Sequence, residues 1–280
     1  MTPFIFRMNG MEYGKWFMHL YGLGDIHWGA HGFAKTHFLK DRDRILADDL
    51  AKVILMGDYC DYILAGDAKR FDPKSLDEES LLSMDDIAIT QMQAVVKELK
   101  PIADQGKILF ALYGNHDDDV RRKYHIDVHK HFCRLLGVPQ AAYSALARIS
   151  AKNVGSGKEV QTITIFVHHG YGSGRKRGGK VNSLDDVSGW FDYDIAMAGH
   201  VHELMRWNPV KLKLTEIDRK PTIVESERMA VITGSYLQTY TVGLYSDYGD
   251  RRMYPPTKLG CGMVKIKWDR HHCERVLVME

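Results

Sequence analysis

The sequence predicts an α/β fold in which two packed β-sheets are flanked by helices. Two observations carry that prediction. The first half of the chain alternates short apolar runs with segments of helical periodicity, and the second half is a succession of strand-like runs. A third observation concerns function: the apolar runs end in Asp, Asn or His, and in open α/β sheets binding sites lie beyond the carboxyl ends of the strands.

Lys15 to Gly24 (KWFMHLYGLG) reads as a buried strand that stops at Gly24-Asp25. Phe33 to Leu50 is charged, with Phe38, Leu39, Ile45, Leu46 and Leu50 at helical spacing, and predicts an amphipathic helix. Lys52 to Met56 (KVILM) is a second strand, ended by Gly57-Asp58. Glu78 to Lys100 reads as a helix closed by Pro101, and Lys107 to Tyr113 as a third strand ended by Gly114-Asn115. A helix is expected from Val120 to Leu136. Strands follow at Ala142 to Ala151, Val160 to Val167, Ile195 to Ala198, Thr222 to Thr233, Gly262 to Trp268 and Glu274 to Met279. The Gly-rich basic stretch Gly170 to Lys180 reads as a loop inside one domain spanning 1–280, because strand-like segments lie close on both sides.

Composition narrows the function classes. A formal charge of +2 over 280 residues excludes a polycation, so nucleic acid would need a local patch. The four cysteines show no CxxC pairing and read as reduced thiols of a cytoplasmic protein. The first residues lack a basic region followed by a continuous apolar run, and no run approaches the roughly 18 apolar residues of a membrane helix.

Five strand ends carry polar clusters: Asp25-Ile26-His27, Gly57-Asp58-Tyr59-Cys60-Asp61, Gly114-Asn115-His116-Asp117, His168-His169-Gly170 and Gly199-His200-Val201-His202. Imidazole, carboxylate and amide donors without thiolate suit hard or borderline divalent ions. The donors are too many for one tetrahedral site and suffice for two ions sharing a bridging carboxylate, the usual clamp for in-line displacement at phosphorus. In the Asp-x-His and His-x-His pairs, alternate residues of an extended segment point the same way. Glycine before Asp58, Asn115 and His200 permits a sharp exit from the strand and close approach to a ligand. Any one of these residues alone is more often a turn residue; five at successive strand ends are not.

In order and spacing, over about Tyr21 to Glu203, these clusters resemble the calcineurin-like metallophosphoesterases, whose pattern runs D-x-H, G-D-x-x-D, G-N-H-[D/E], H-x-[G/P] and G-H-x-H. The resemblance implies a four-layer α/β/β/α sandwich, two mixed sheets flanked by helices. It implies that Asp25, His27 and His202 hold one divalent ion, that Asp58 bridges, and that Asn115, His168 and His200 hold the second. His168 and His169 compete for one position, and the H-x-G spacing selects His168. Manganese is the first expectation for the metal, with iron, zinc, cobalt or nickel as alternatives. By the same resemblance His116 acts on the substrate rather than on metal, and Asp61 orients its imidazole.

The activity implied is hydrolysis of a phosphoester by metal-activated water, with a nucleotide or other small diester as first substrate class. A nuclease of the same superfamily is the alternative, with Arg175, Lys176, Arg177 and Lys180 as candidate substrate contacts. Gly174 to Val181 nearly matches a phosphate-cradling P-loop, but Val181 stands where a hydroxyl is needed, which sets ATP aside. A phosphoprotein phosphatase is disfavoured, because Tyr62 and Ile63 replace its Arg-Gly pair and Asp117 its Glu. A scaffold role, as in the retromer subunit of this fold, is disfavoured by the full donor set. The tyrosines between Gly234 and Pro256 (Tyr236, Tyr240, Tyr245, Tyr248, Tyr254) either wall the substrate pocket or belong to a β core. His271, His272 and Cys273 read as a hairpin turn.

Overall fold

β-branched and aromatic residues in the apolar runs build two mixed sheets, and the charged periodic segments build the helices that cover them. The computed structural model describes residues 1–11, 16–67, 70–153, 159–172, 176–187, 189–243, 248–268 and 273–278. Its first half runs β1 (Thr2–Met11), β2 (Trp16–Leu23), α1 (Lys35–Ala47), β3 (Ala51–Leu55), α2 (Glu78–Leu82), α3 (Ile87–Asp104), β4 (Ile108–Ala111), α4 (Asn115–Tyr124) and α5 (Val128–Leu136). Its second half runs β5 (Ser144–Asn153), β6 (Glu159–His168), α6 (Arg177–Val187), β7 (Ile195–Ala198), β8 (Leu204–Trp207), β9 (Val210–Ile217), β10 (Lys220–Glu227), β11 (Met229–Ser235), α7 (Tyr248–Arg251), β12 (Gly260–Cys261), β13 (Met263–Trp268) and β14 (Cys273–Val278).

One sheet has the order β14-β13-β2-β3-β4, in which β2, β3 and β4 are parallel. The other has the order β1-β5-β6-β7-β11-β12, with β8 beside β11, and its strands β6, β7 and β11 are parallel. Three apolar clusters define the layers. Tyr21, Val53 and Leu55 pack with Phe38 of α1, Val95 and Leu99 of α3 and Phe132 of α5. Met18, Leu20, Ile54 and Phe110 meet Ile149, Ile165, Val167 and Met197 between the sheets. Phe166, Ala196 and Ile232 on the far face of the second sheet pack on Leu184 of α6 and on Tyr193. The result is helix, sheet, sheet, helix, with the parallel strand ends of both sheets opening on one rim. Among the described residues, no helix is long and apolar enough to cross a membrane.

Several elements depart from the sequence expectation. The helix expected over Val120 to Leu136 is two helices, because His125 takes a left-handed backbone (φ 58°) and Asp127 caps the second by accepting from the Lys130 N–H. Glu78 to Lys100 is likewise split, with Asp77 capping α2 and α3 running through Pro101 to Asp104. Pro101 is tolerated there because it lies in the last turn, where its missing N–H costs one bond. The strand expected over Thr222 to Thr233 is two, β10 and β11. β1, β8 and β9 were not expected at all. The basic stretch after Gly170 is not all loop: from Arg177 it is α6, stabilised by Leu184 on the sheet and by a buried Lys180–Glu203 ion pair of 3.1 Å. Gly178 and Gly179 argue against a helix locally, and tertiary packing overrides them. The turn at His271 and His272 lies outside the described residues, as do Arg175 and Tyr245.

Candidate metal centre

Each parallel strand delivers its polar cluster to the same rim, and backbone hydrogen bonds lash the clusters together. Asp25 N–H donates to the Gly57 carbonyl (2.9 Å), and Ile26 and His27 N–H both reach the Asp58 carbonyl (2.9 and 3.1 Å). Gly199 N–H donates to the His169 carbonyl (2.9 Å), and the Asp25 carbonyl accepts from Tyr236 N–H and Ser235 Oγ (both 3.0 Å). Asp25, His27, Asp58, His200 and His202 all adopt positive φ, between 46° and 68°. Non-glycine residues in that region are uncommon, Asp and His being among the tolerant types, and such strain concentrates at functional sites.

Two glycines are required sterically. A Cβ on Gly114 would lie 2.1 Å from Asp58 Oδ1, and one on Gly199 would lie 2.6 Å from Asp25 Oδ2.

Three groups of donor atoms lie within 4.8 Å of one another: Asp25, His27 and His202; His27, Asp58 and His116; and Asp58, His169 and His200. His27 joins the first group to the second, and Asp58 joins the second to the third, so the three form one continuous run of donors. The tautomers suit ligation. His27 Nδ1 faces Asp61 Oδ1 at 3.2 Å, which leaves Nε2 facing His202 Nε2 at 3.1 Å. His169 donates from Nδ1 to the Met56 carbonyl (2.8 Å), which leaves Nε2 2.9 Å from Asn115 Oδ1 and 3.3 Å from Asp58 Oδ2. Asp25 Oδ2 accepts from His200 N–H (2.8 Å), while buried Asp25 Oδ1 has no hydrogen-bond partner and lies 3.6 Å from His202 Nε2. A buried oxygen left unpaired among imidazole nitrogens, with no sulfur nearby in the donor groups, is the arrangement a divalent cation would complete.

Charge is tuned accordingly. Burial pushes the Asp58 carboxyl up, but His169 and His116 outweigh it and hold the group well below its usual range. Burial pushes the Asp25 carboxyl up too, and His202 and His169 bring it below the usual value. Burial depresses the His27 and His200 imidazoles. For His169 burial is overcome by Asp58, which raises it to about 9, so metal binding must displace a proton there.

The structure therefore brings together Asp25, His27, Asp58, Asn115, His200 and His202, but not His168. His168 Nδ1 accepts from Gly170 N–H (2.7 Å), and its ring faces Tyr171 in a separate small apolar pocket of about 190 Å³. His169 stands in its place. The reason is strand alternation: Ile163, Ile165 and Val167 face the opposite sheet, so the next residue on that side is His169, while Phe166 and His168 face outward.

The position of Asp61 also differs from expectation. Its carboxylate lies nearer His27 than His116, which is 3.6 Å away, and it is the Asp61 backbone carbonyl that His116 Nδ1 contacts. Asp117, in the first turn of α4, is buried and accepts from Gly114 N–H (2.9 Å) and Asp58 N–H (3.3 Å), tying two donor loops together. Burial and the Asp58 charge push it up to about 7.

Of the donors, His27, Asp58, His200 and His202 line a cleft of about 590 Å³, and Asp25 and His169 are fully buried. Arg70 and Ile63 line one part, and Leu237, Gln238, Tyr254 and Pro255 from the segment after β11 line another. Of the tyrosines in that segment Tyr254 lines the cleft, whereas Tyr236 is buried against Phe38. Of the four cations expected to contact substrate, Lys180 lines the cleft but is paired to Glu203, Lys176 is exposed, and Arg177 opens α6.

The helix, sheet, sheet, helix layering is the fold expected from the sequence. No protein-family model matches the sequence, and no curated protein matches it. Solved structures do. A conserved uncharacterised protein from Streptococcus pneumoniae, described as a predicted phosphoesterase, is 13% identical over 94% of this chain and 90% of that one, with a TM-score of 0.35. Vps29 from Entamoeba histolytica in complex with zinc is 13% identical over 93% and 99%, with a TM-score of 0.36. A metallophosphoesterase from Sphaerobacter thermophilus is 14% identical over 94% and 89%, with a TM-score of 0.38. At these identities and scores no argument about chemistry passes from them to this chain, whose own side chains must carry it.

Proposed function

We propose that this protein is a dinuclear-metal-dependent phosphoester hydrolase acting on small phosphodiesters. The observation that supports it above others is the run of donor groups joined through His27 and Asp58 at the floor of a cleft. Asp25, His27, Asp58 and His202 would hold one ion, and Asp58, Asn115, His169 and His200 the other, manganese being the first expectation. Bound there, the pair supplies Lewis acidity and a water of lowered pKa.

The chain's own groups do the rest. His116 lines the cleft, and its Nδ1 donates to the Asp61 carbonyl, which fixes the ring and leaves Nε2 to act on a substrate. Burial disfavours its charged form, but Asp58 and Asp61 more than compensate, so the ring carries a proton above the usual histidine range. Such a group hydrogen-bonds a phosphoryl oxygen or delivers a proton to the departing alkoxide from Nε2. Asp61 fixes the His27 tautomer, an outer-sphere bond of the kind that raises ligand basicity. The walls formed by Ile63, Leu237 and Pro255 exclude water from an apolar substituent.

The size of the cleft favours a small substrate over duplex nucleic acid, and Lys180, paired with Glu203, offers no free charge for a backbone. Turnover of bis-p-nitrophenyl phosphate above that of p-nitrophenyl phosphate, dependent on added manganese and abolished by chelator, is the expected result. Absence of turnover of both esters, or retained activity in an Asp58→Asn, His200→Ala double variant, would overturn the reading.

A further inference from the structure

Arg70 has no part in the chemistry above, yet it lines the same cleft as Asp58, Asp61 and His116. It follows β3, and its side chain is one-third exposed (33%). Two of its three nitrogens are committed. Nε donates to Asp67 Oδ2 at 2.6 Å, and Nη2 donates to Asp119. Lys123 closes the network, donating to Asp67 at 2.9 Å and to Asp119 at 3.3 Å. Two carboxylates are thus shared by two cations, so neither carboxylate belongs to Arg70 alone. Nη1 has no protein partner among the described residues.

Two bonds lock the plane of the guanidinium, and a planar, always-charged fork is the group that recognises carboxylate and phosphate oxygens. An arginine serving only to pin its loop to α4 would have no need to face the reaction cleft.

We infer that Arg70 is a specificity residue: Nη1 binds a second anionic oxygen group, phosphoryl or carboxylate, carried by the part of the substrate that is not cleaved. The inference rests on the proposed hydrolase reading and names its substrate class, phosphoesters bearing a second anion. The test uses three diesters with one leaving group: ethyl p-nitrophenyl phosphate and its counterparts whose ethyl arm ends in a carboxylate or a phosphate. The manganese-loaded protein is expected to prefer an anionic arm by at least about tenfold in kcat/KM.

Arg70→Gln should collapse that preference toward unity, and Arg70→Lys should retain part of it. A ratio within one preparation cancels any loss of folded protein, and whichever arm is preferred identifies the anion. A ratio near unity in the parent protein, or one unchanged in Arg70→Gln, overturns the inference while leaving the hydrolase reading intact. Should none of the esters turn over, the hydrolase reading fails. Calorimetric titration with ethyl phosphate, 2-carboxyethyl phosphate and ethylene bisphosphate then decides for Arg70 on the same ratio.

Discussion

Gly114→Ala tests whether the donor loops are held by backbone contact. The backbone there is extended (φ −101°, ψ 170°), so alanine meets no conformational penalty, and any effect is steric. Its Cβ would lie 2.1 Å from Asp58 Oδ1, 2.2 Å from Asp58 N and 2.8 Å from Asp117 Oδ2, where ordinary contact begins at 3.4 Å. The Asp58 carboxyl must therefore retreat by about 1.3 Å, in an interior packed too densely to absorb it. Overpacking of this kind costs about 1–3 kcal/mol, and roughly 2–4 °C of Tm accompanies each kcal/mol in domains approaching this size. The larger consequence is at the centre, because misplacing a positioned group by about 1 Å can cost on the order of 100-fold in rate. The assay pairs thermal melting with manganese titration of diester turnover. Gly178→Ala is the control, because its Cβ would meet nothing within 4 Å. If Gly114→Ala kept parental metal affinity and rate, the packing of Gly114 against Asp58 would be refuted as a determinant of the site.

Two further outcomes follow from particular residues. His169→Ala should lower manganese affinity by more than the roughly 10–100-fold typical of a lost outer-sphere partner, whereas His168→Ala should change it little; the reverse order would restore His168 as the ligand. His129 is buried beside Tyr113 and Tyr59, and burial holds it at about 4, below its ordinary 6.5. The unfolded chain then binds the extra proton, so its contribution is complete above 6.5 and is lost as pH falls from 6.5 to about 4. The slope is at most about 1.4 kcal/mol per pH unit. Urea melts between pH 7 and 4.5 should show it, and His129→Leu should remove it; an unaltered slope contradicts the assignment.

The layered fold was legible because burial writes itself into periodicity: KVILM and KILFALY can only be interior strands, and both are. β9 and β10 were less legible, because they form a separate exposed hairpin with Leu212, Leu214 and Ile223 outward, so no core imposes its pattern. α6 was misread because its stability comes from Leu184 and Glu203, neither of which is local to Gly178 and Gly179. At the site, motif order picks out Asp25, His27, Asp58, Asn115, His200 and His202, which the fold brings together at one rim. The alternation of Ile163, Ile165 and Val167 places His169, not His168, on the side facing the other donors, a signal that motif spacing alone does not carry. Arg70 and Asp117 were not readable, since their roles depend on partners brought near only by folding.

Metal content measured together with anomalous scattering tests the central claim most directly. Protein loaded with manganese should hold two ions per chain, one on each side of Asp58, with His27 and His202 around one and Asn115, His169 and His200 around the other. Fewer than two ions, or ions held elsewhere while these side chains keep their present contacts, would contradict it.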